Sequence, residues 1–100
     1  MKLIFFLILL NYFFPNNNFI NAGPMVGYST KREVALWIQA SKEIEVRFEY
    51  WEEATPDNFF STDSKLTNKN SGYTATLIAD LVEPGRKYIY IPVINDTRID

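Results

Sequence analysis

The sequence predicts an all-β protein, an antiparallel sandwich of short strands behind a secretory leader. Three observations carry that prediction. Segments 32–40, 43–51, 72–81 and 87–94 alternate their side chains with a period of two, the spacing of a pleated strand. Turn formers separate these segments. Once the first 22 residues are set aside, no stretch repeats with the period of a helix, and short strands between turn signals make a sandwich.

The leader reads "MKLIFFLILLNYFFPNNNFINA". Lys2 supplies its positive start, residues 3–10 its apolar run, and Tyr12, Phe13 and Phe14 extend that run past Asn11. Pro15, three asparagines and Ile20-Asn21-Ala22 form the exit of a signal peptide. Cleavage is expected between Ala22 and Gly23, although Ile20 is an imperfect residue two before the cut. The run is shorter than the about 20 apolar residues of a spanning helix, and no arginine pair precedes it, so the general secretion route is expected. The product is then secreted, periplasmic or held at the cell surface, with no membrane attachment after cleavage. A short uncleaved anchor is the alternative. No cysteine stands at the exit to take a lipid.

Cleavage removes Lys2 and no acid, which moves the net charge from −2 to −3. A mildly acidic chain without a basic stripe has no counterions to release on nucleic acid, so nucleic acid is excluded as a partner. With no cysteine and no histidine, disulfides, the usual serine and cysteine triads, and histidine- or cysteine-held zinc are excluded as well. Gly23, Gly27, Gly72 and Gly85 stand apart and make no phosphate loop. Glu49, Glu52 and Glu53 sit close together, and two carboxylates could in principle suit glycosidase-type chemistry; the favoured reading is a solvated strand face and its turn, since charge clusters at strand ends usually just hydrate. Asn95-Asp96-Thr97 matches a glycosylation sequon.

In chain order, 32–40 places Val34, Leu36 and Ile38 on one face and Ala35 and Trp37 on the other, so both faces are apolar. Ala40-Ser41-Lys42 reads as a hairpin connection. Segment 43–51 puts Ile44, Val46, Phe48 and Tyr50 inward against Glu45, Arg47 and Glu49, a half-buried strand. Residues 54–72 are rich in turn formers, with room for a short edge strand near Phe59, Phe60 and Leu66. Segment 72–81 sets Tyr73, Ala75, Leu77 and Ala79 against Thr74, Thr76 and Ile78. Pro84-Gly85 is a turn pair, because proline presets φ and glycine accepts φ > 0. In 87–94, Pro92 lacks an amide donor and marks a bulge or a locally unpaired edge.

"VEPGRKYIY" resembles the corner that closes fibronectin type III and related Ig-like sandwiches. That resemblance makes Val82 the apolar plug, Pro84-Gly85 the turn and Tyr88 the corner tyrosine, its hydroxyl bonded back to upstream backbone. "GPMVGYSTKREVALWIQ", "VRFEYW" and "YTATLIADLVEPGRKYIY", in that order, look like the N-terminal domain of the alkaline phosphatase D family. The resemblance spans essentially all of residues 23–100. It implies an Ig/fibronectin III-like sandwich ahead of a metallophosphoesterase domain in an exported phosphoric ester hydrolase. On this likeness Gly23-Pro24 opens a first strand through Met25 and Val26, and Gly27 permits the reversal into the next. The family's aspartate, asparagine and histidine ligands, which the resemblance implies hold calcium and iron, belong to the downstream domain. Ile99-Asp100 falls in the hairpin before the last sandwich strand, so the sandwich is expected to lack that strand. No catalytic, cofactor-binding or metal residue is expected in residues 23–100.

The first functional expectation is therefore a non-catalytic module that packs against and positions its own downstream catalytic domain. A free-standing secreted Ig- or fibronectin-like binding module is the second. A carbohydrate platform of Trp37, Tyr50 and Trp51 is the third, against core packing of the same aromatics. The two-faced strand 32–40 leaves apolar area uncovered whichever face turns inward. Docking on the catalytic domain, or cover by residues 58–66, accounts for it.

Overall fold

A computed structural model describes residues 19–99; the expected leader segment 1–18 lies outside the described residues, as does Asp100. The strands are β1 (Ile20–Ser29), β2 (Val34–Ala40), β3 (Glu45–Glu52), β4 (Phe59–Ser61), β5 (Lys65–Leu66), β6 (Thr74–Ala79), β7 (Tyr88–Ile94) and β8 (Thr97–Arg98). A short 3₁₀ turn, Lys69–Ser71, precedes β6 and is capped by the Asn68 side chain, which accepts the Ser71 N–H. One sheet has the order β1-β2-β6, and the other the order β4-β3-β7-β8 with β5 also on β3. Every pairing is antiparallel.

The all-β sandwich follows from the alternation. Leu36, Ile38 and Ala40 of β2 and Ala75, Leu77 and Ala79 of β6 are buried in one core with Val46, Phe48 and Tyr50 of β3 and Ile94 of β7. Tyr88 and Tyr90 pack on that core partly exposed. Strand β3 has the expected period, and its inward residues Val46, Phe48 and Tyr50 are all but inaccessible. Burying each such side chain stabilises the fold by about 1.5–3 kcal/mol. That term carries the stability here, since no cysteine is present to crosslink the chain.

Two connections differ from the expectations above. The reversal between β1 and β2 is made at residues 30–33, not at Gly27. There Thr30 N–H bonds the Glu33 carbonyl at 2.8 Å, and the Thr30 hydroxyl accepts both the Arg32 and Glu33 N–H groups at 3.2 Å. Gly27 lies inside β1, where the register to β2 slips between Val26 and Tyr28. Ala40-Ser41-Lys42 is no hairpin: β2 and β3 belong to different sheets, and this connection crosses the sandwich. Both strands turn their apolar sets toward the same interior from opposite sides, so pairing them edge to edge would have left one set outside.

The expected edge strand in 54–72 is present as two pieces, β4 and β5, and what lies between and after them seals β3. Thr62 Oγ1 accepts Phe48 N–H at 3.0 Å, and the Phe48 carbonyl accepts Thr62 N–H. Buried Thr67 repeats the device, its hydroxyl accepting Ile44 N–H and donating to the Lys42 carbonyl, both at 2.9 Å. Side chains thus complete the ladder where β4 and β5 leave gaps.

The bond expected to be cut, Ala22–Gly23, lies within β1, whose residues Ile20 and Ala22 pair with Ala40 and Gln39.

Candidate functional site

The corner before β7 is built as the turn chemistry requires. Val82 is buried at the edge of the core. Gly85 takes φ +80°, the left-handed value that a type II turn demands after proline. Tyr88 Oη accepts the Glu83 N–H at 3.0 Å, a bond back onto upstream backbone. A second tyrosine, which sequence reasoning placed in the core or on a carbohydrate platform, does the same from the other side: Tyr50 Oη accepts the Leu81 N–H at 3.1 Å. Burial pushes the Tyr50 hydroxyl pKa up, partly offset by that backbone bond. Arg86 on the turn pairs with Glu52 at 2.9 Å, which raises its pKa further. The corner is clamped by side chains that also belong to the sandwich, and none of them is left for chemistry.

The three acids do not act together. Glu49 and Glu52 stand three apart on β3 and so project to opposite faces. Glu52 is taken by Arg86, whereas Glu49 is buried, a departure from the solvated face expected for it. Arg98 Nε approaches Glu49 Oε1 at 2.6 Å and Arg47 Nη2 approaches its Oε2 at 3.3 Å. Arg47 also reaches Asp96 at 2.9 Å, the bond that chiefly raises its own pKa. A carboxylate with both oxygens committed to guanidinium groups is a poor general base. Among the described residues no group of three or more histidine, cysteine, aspartate or glutamate side chains is placed to hold a metal ion. Sequence spacing gave no sign of the Arg98–Glu49 pair, because it depends on how β8 folds back on β7.

The aromatics do not form a sugar platform. Tyr50 is buried, and Trp37 and Trp51 belong to different sheets. The Arg98 guanidinium lies 5.2 Å from the ring centroids of both Trp51 and Phe59, a cation–π contact on each.

The two-faced strand resolves in favour of Leu36, Ile38 and Ala40 inside, with Ala35, Trp37 and Gln39 outside. In register with them stand Met25 beside Trp37, Tyr28 beside Ala35, and Ile78 on the far side of Ala35. Met25 and Tyr28 are about half exposed, Ile78 is exposed, and Trp37 is half-buried between them. Tyr28 Oη donates to Glu33 at 2.8 Å, which raises its pKa. Residues 58–66, the other expected cover, run along β3 in the opposite sheet. The outer face of β1-β2-β6 is thus an apolar strip, uncovered among the described residues. Gly23 lets it form: at φ +82° its α-carbon packs so close to β2 that a Cβ would stand 2.9 Å from the Trp37 carbonyl oxygen.

No protein-family model, curated protein or solved structure matches this chain.

Proposed function

We propose that this chain is the non-catalytic N-terminal sandwich of an exported phosphoric ester hydrolase of the alkaline phosphatase D type. Its role is to pack against a downstream metallophosphoesterase domain and position it. The observation that carries the reading is the apolar strip of Met25, Tyr28, Trp37 and Ile78 on the outer face of a three-stranded sheet. Contiguous exposed apolar patches on a folded domain mark interaction sites. The corner built from Val82, Pro84, Gly85 and Tyr88 supports the Ig/fibronectin III-like assignment on which the family resemblance rests. Calcium and iron would be held by the downstream domain, and export would follow from the leader.

The sequence encoded after Asp100 tests the proposal. A segment carrying aspartate, asparagine and histidine ligands supports it, and an immediate stop favours the free-standing binding module instead. In a chain that continues into a catalytic domain, amide exchange across 34–38 should be slower than in the 100-residue chain, and equal rates would end the docking reading. The 100-residue chain itself should not hydrolyse chromogenic phosphate mono- or diesters with calcium and iron added, since a metal-activated water needs a fixed ligand set. Turnover that follows the folded protein through purification would refute that.

A further inference from the structure

Strand β6 is the free edge of its sheet, the last in the order β1-β2-β6. The Thr76 carbonyl faces away from β2, because it accepts a hydrogen bond from Lys65 Nζ at 3.1 Å. In an antiparallel strand the N–H and C=O of one residue point the same way, and every second residue repeats them. Thr74, Thr76 and Ile78 therefore present their main-chain groups outward, while Ala75, Leu77 and Ala79 bond β2. The Ser71 hydroxyl comes within 3.4 Å of the Thr74 carbonyl. The Thr76 N–H and both main-chain groups of Ile78 meet no partner among the described residues. Beside this edge runs a cleft of about 350 Å³, with Ser61, Asp63 and Lys65 on one wall and Thr76, Ile78 and Asp80 on the other. The strand itself, "TATLIA" from Thr74 to Ala79, holds no charge, no proline and no glycine. An exposed edge of that composition is a template for pairing with a like strand. Lys65 belongs to β5 in the other sheet, opposite Val46, and its side chain crosses the open side of the sandwich to reach Thr76.

We propose that Lys65 guards this edge: with its amine on the Thr76 carbonyl, it keeps β6 from pairing with the β6 of a second copy. A second copy is the partner that the edge itself selects. Two β6 strands laid antiparallel about Thr76 put Thr76 opposite Thr76 and Thr74 opposite Ile78 on either side. These are β-branched residues that pair well, and no like charges face each other. Their outward groups would form about six main-chain hydrogen bonds, and the two three-stranded sheets would join into one. Thr76 sits on the two-fold axis of that pair. The Lys65 amine of each copy stands at the same point, so pairing would bring two ammonium groups together, strip both of water and break both bonds to the Thr76 carbonyls. A lysine here opposes pairing through both copies at once. In the single chain its stem lies across the edge with the residue still exposed to water. The inference uses residues 61–80 alone and does not rest on the phosphoesterase reading.

The test compares the 100-residue chain with its Lys65→Met, Lys65→Ala and Lys65→Arg variants by sedimentation equilibrium and amide exchange. Methionine keeps the stem and loses the amine, alanine loses both, and arginine keeps a charged donor. Lys65→Met and Lys65→Ala are expected to dimerise at least about tenfold more tightly than the unaltered chain. Their Thr76 and Ile78 amides, open in the single chain, should exchange severalfold more slowly, and more so as concentration rises. Lys65→Arg should associate within about threefold of the unaltered chain. The proposal is overturned if Lys65→Met and Lys65→Ala associate no more tightly than the unaltered chain. Association that leaves Thr76 and Ile78 exchange unchanged would overturn it too, as would an arginine variant that dimerises like the other two.

Discussion

Replacing Tyr50 by phenylalanine should destabilise the sandwich more than the same change at Tyr88, although only Tyr88 stands in the recognisable corner pattern. Each substitution keeps the ring and removes one acceptor from a backbone N–H. Tyr50 serves Leu81 at 3.1 Å from a ring that is 2% exposed, in a partly buried contact. Water reaches that N–H poorly once the hydroxyl is gone, so the cost is that of an unsatisfied donor, about 1–3 kcal/mol. Tyr88 serves Glu83 at 3.0 Å on the surface, where water replaces it, and the cost falls to about 0.5–1 kcal/mol. A domain of this size has roughly 4–12 kcal/mol of stability, so both changes are measurable and neither prevents folding. With a urea slope near 1 kcal/mol/M, the midpoint should drop by about 1–3 M for Tyr50→Phe and by less than about 1 M for Tyr88→Phe. The two hydroxyls hold the same short segment, so the double variant should cost less than the sum of the singles. Equal drops, or a larger one at Tyr88, would refute the reasoning that burial ranks these bonds.

Gly23→Ala should cost more than Gly85→Ala in thermal melts. Both sites hold φ near +80°, worth about 1–2 kcal/mol of strain, but only at Gly23 does the added methyl meet a carbonyl oxygen, at 2.9 Å, whereas Gly85 faces open space. Alkaline pH should weaken the fold through Tyr50. Its folded pKa is raised, so below about pH 10 it is protonated in both states and its contribution is intact; above that the unfolded chain ionises first and stability falls as pH rises, a slope in urea midpoints that Tyr50→Phe should flatten. Glu49→Gln keeps the shape and loses the charge between Arg98 and Arg47; with Arg98 47% exposed the loss should be near 1 kcal/mol, read as a urea midpoint shift that shrinks in high salt.

The strands were legible because alternation states which side is buried. Val46, Phe48 and Tyr50 were assigned to the core on period alone and are buried there. The corner was legible because Pro84-Gly85 and Tyr88 each answer a specific backbone need. What stayed hidden depended on three dimensions. A three-residue link such as Ala40-Ser41-Lys42 serves a hairpin or a crossing equally well, and only the shared interior decides between them. Gly27 looked like a reversal because glycine suits turns, but the turn was made by the Thr30 hydroxyl instead. Glu49 looked solvated because it follows Arg47 on a polar face, and nothing local announces that Arg98 will fold over it.

The two outer faces meet one difficulty in opposite ways. Both carry apolar residues that a single-layer sheet cannot hide. On the β3–β7 sheet, Ile91 and Val93 lie on the outer face and are nevertheless buried. Arg98 and Arg47 extend across that face, anchored on Glu49, and the Arg98 guanidinium rests on Trp51 and Phe59. Long cationic side chains shield apolar surface with their stems while their heads stay wet. Among the described residues no arginine pair of this kind lies across the β1-β2-β6 sheet. The residues flanking Trp37 are Met25 and Thr76, neither of which carries a charge, and Ile78 and Tyr28 continue the strip. A chain that spends three charged side chains on covering one face has the means to cover the other. On the proposed docking reading, bare Met25, Tyr28 and Ile78 would bind without the desolvation that a cover of arginines would cost.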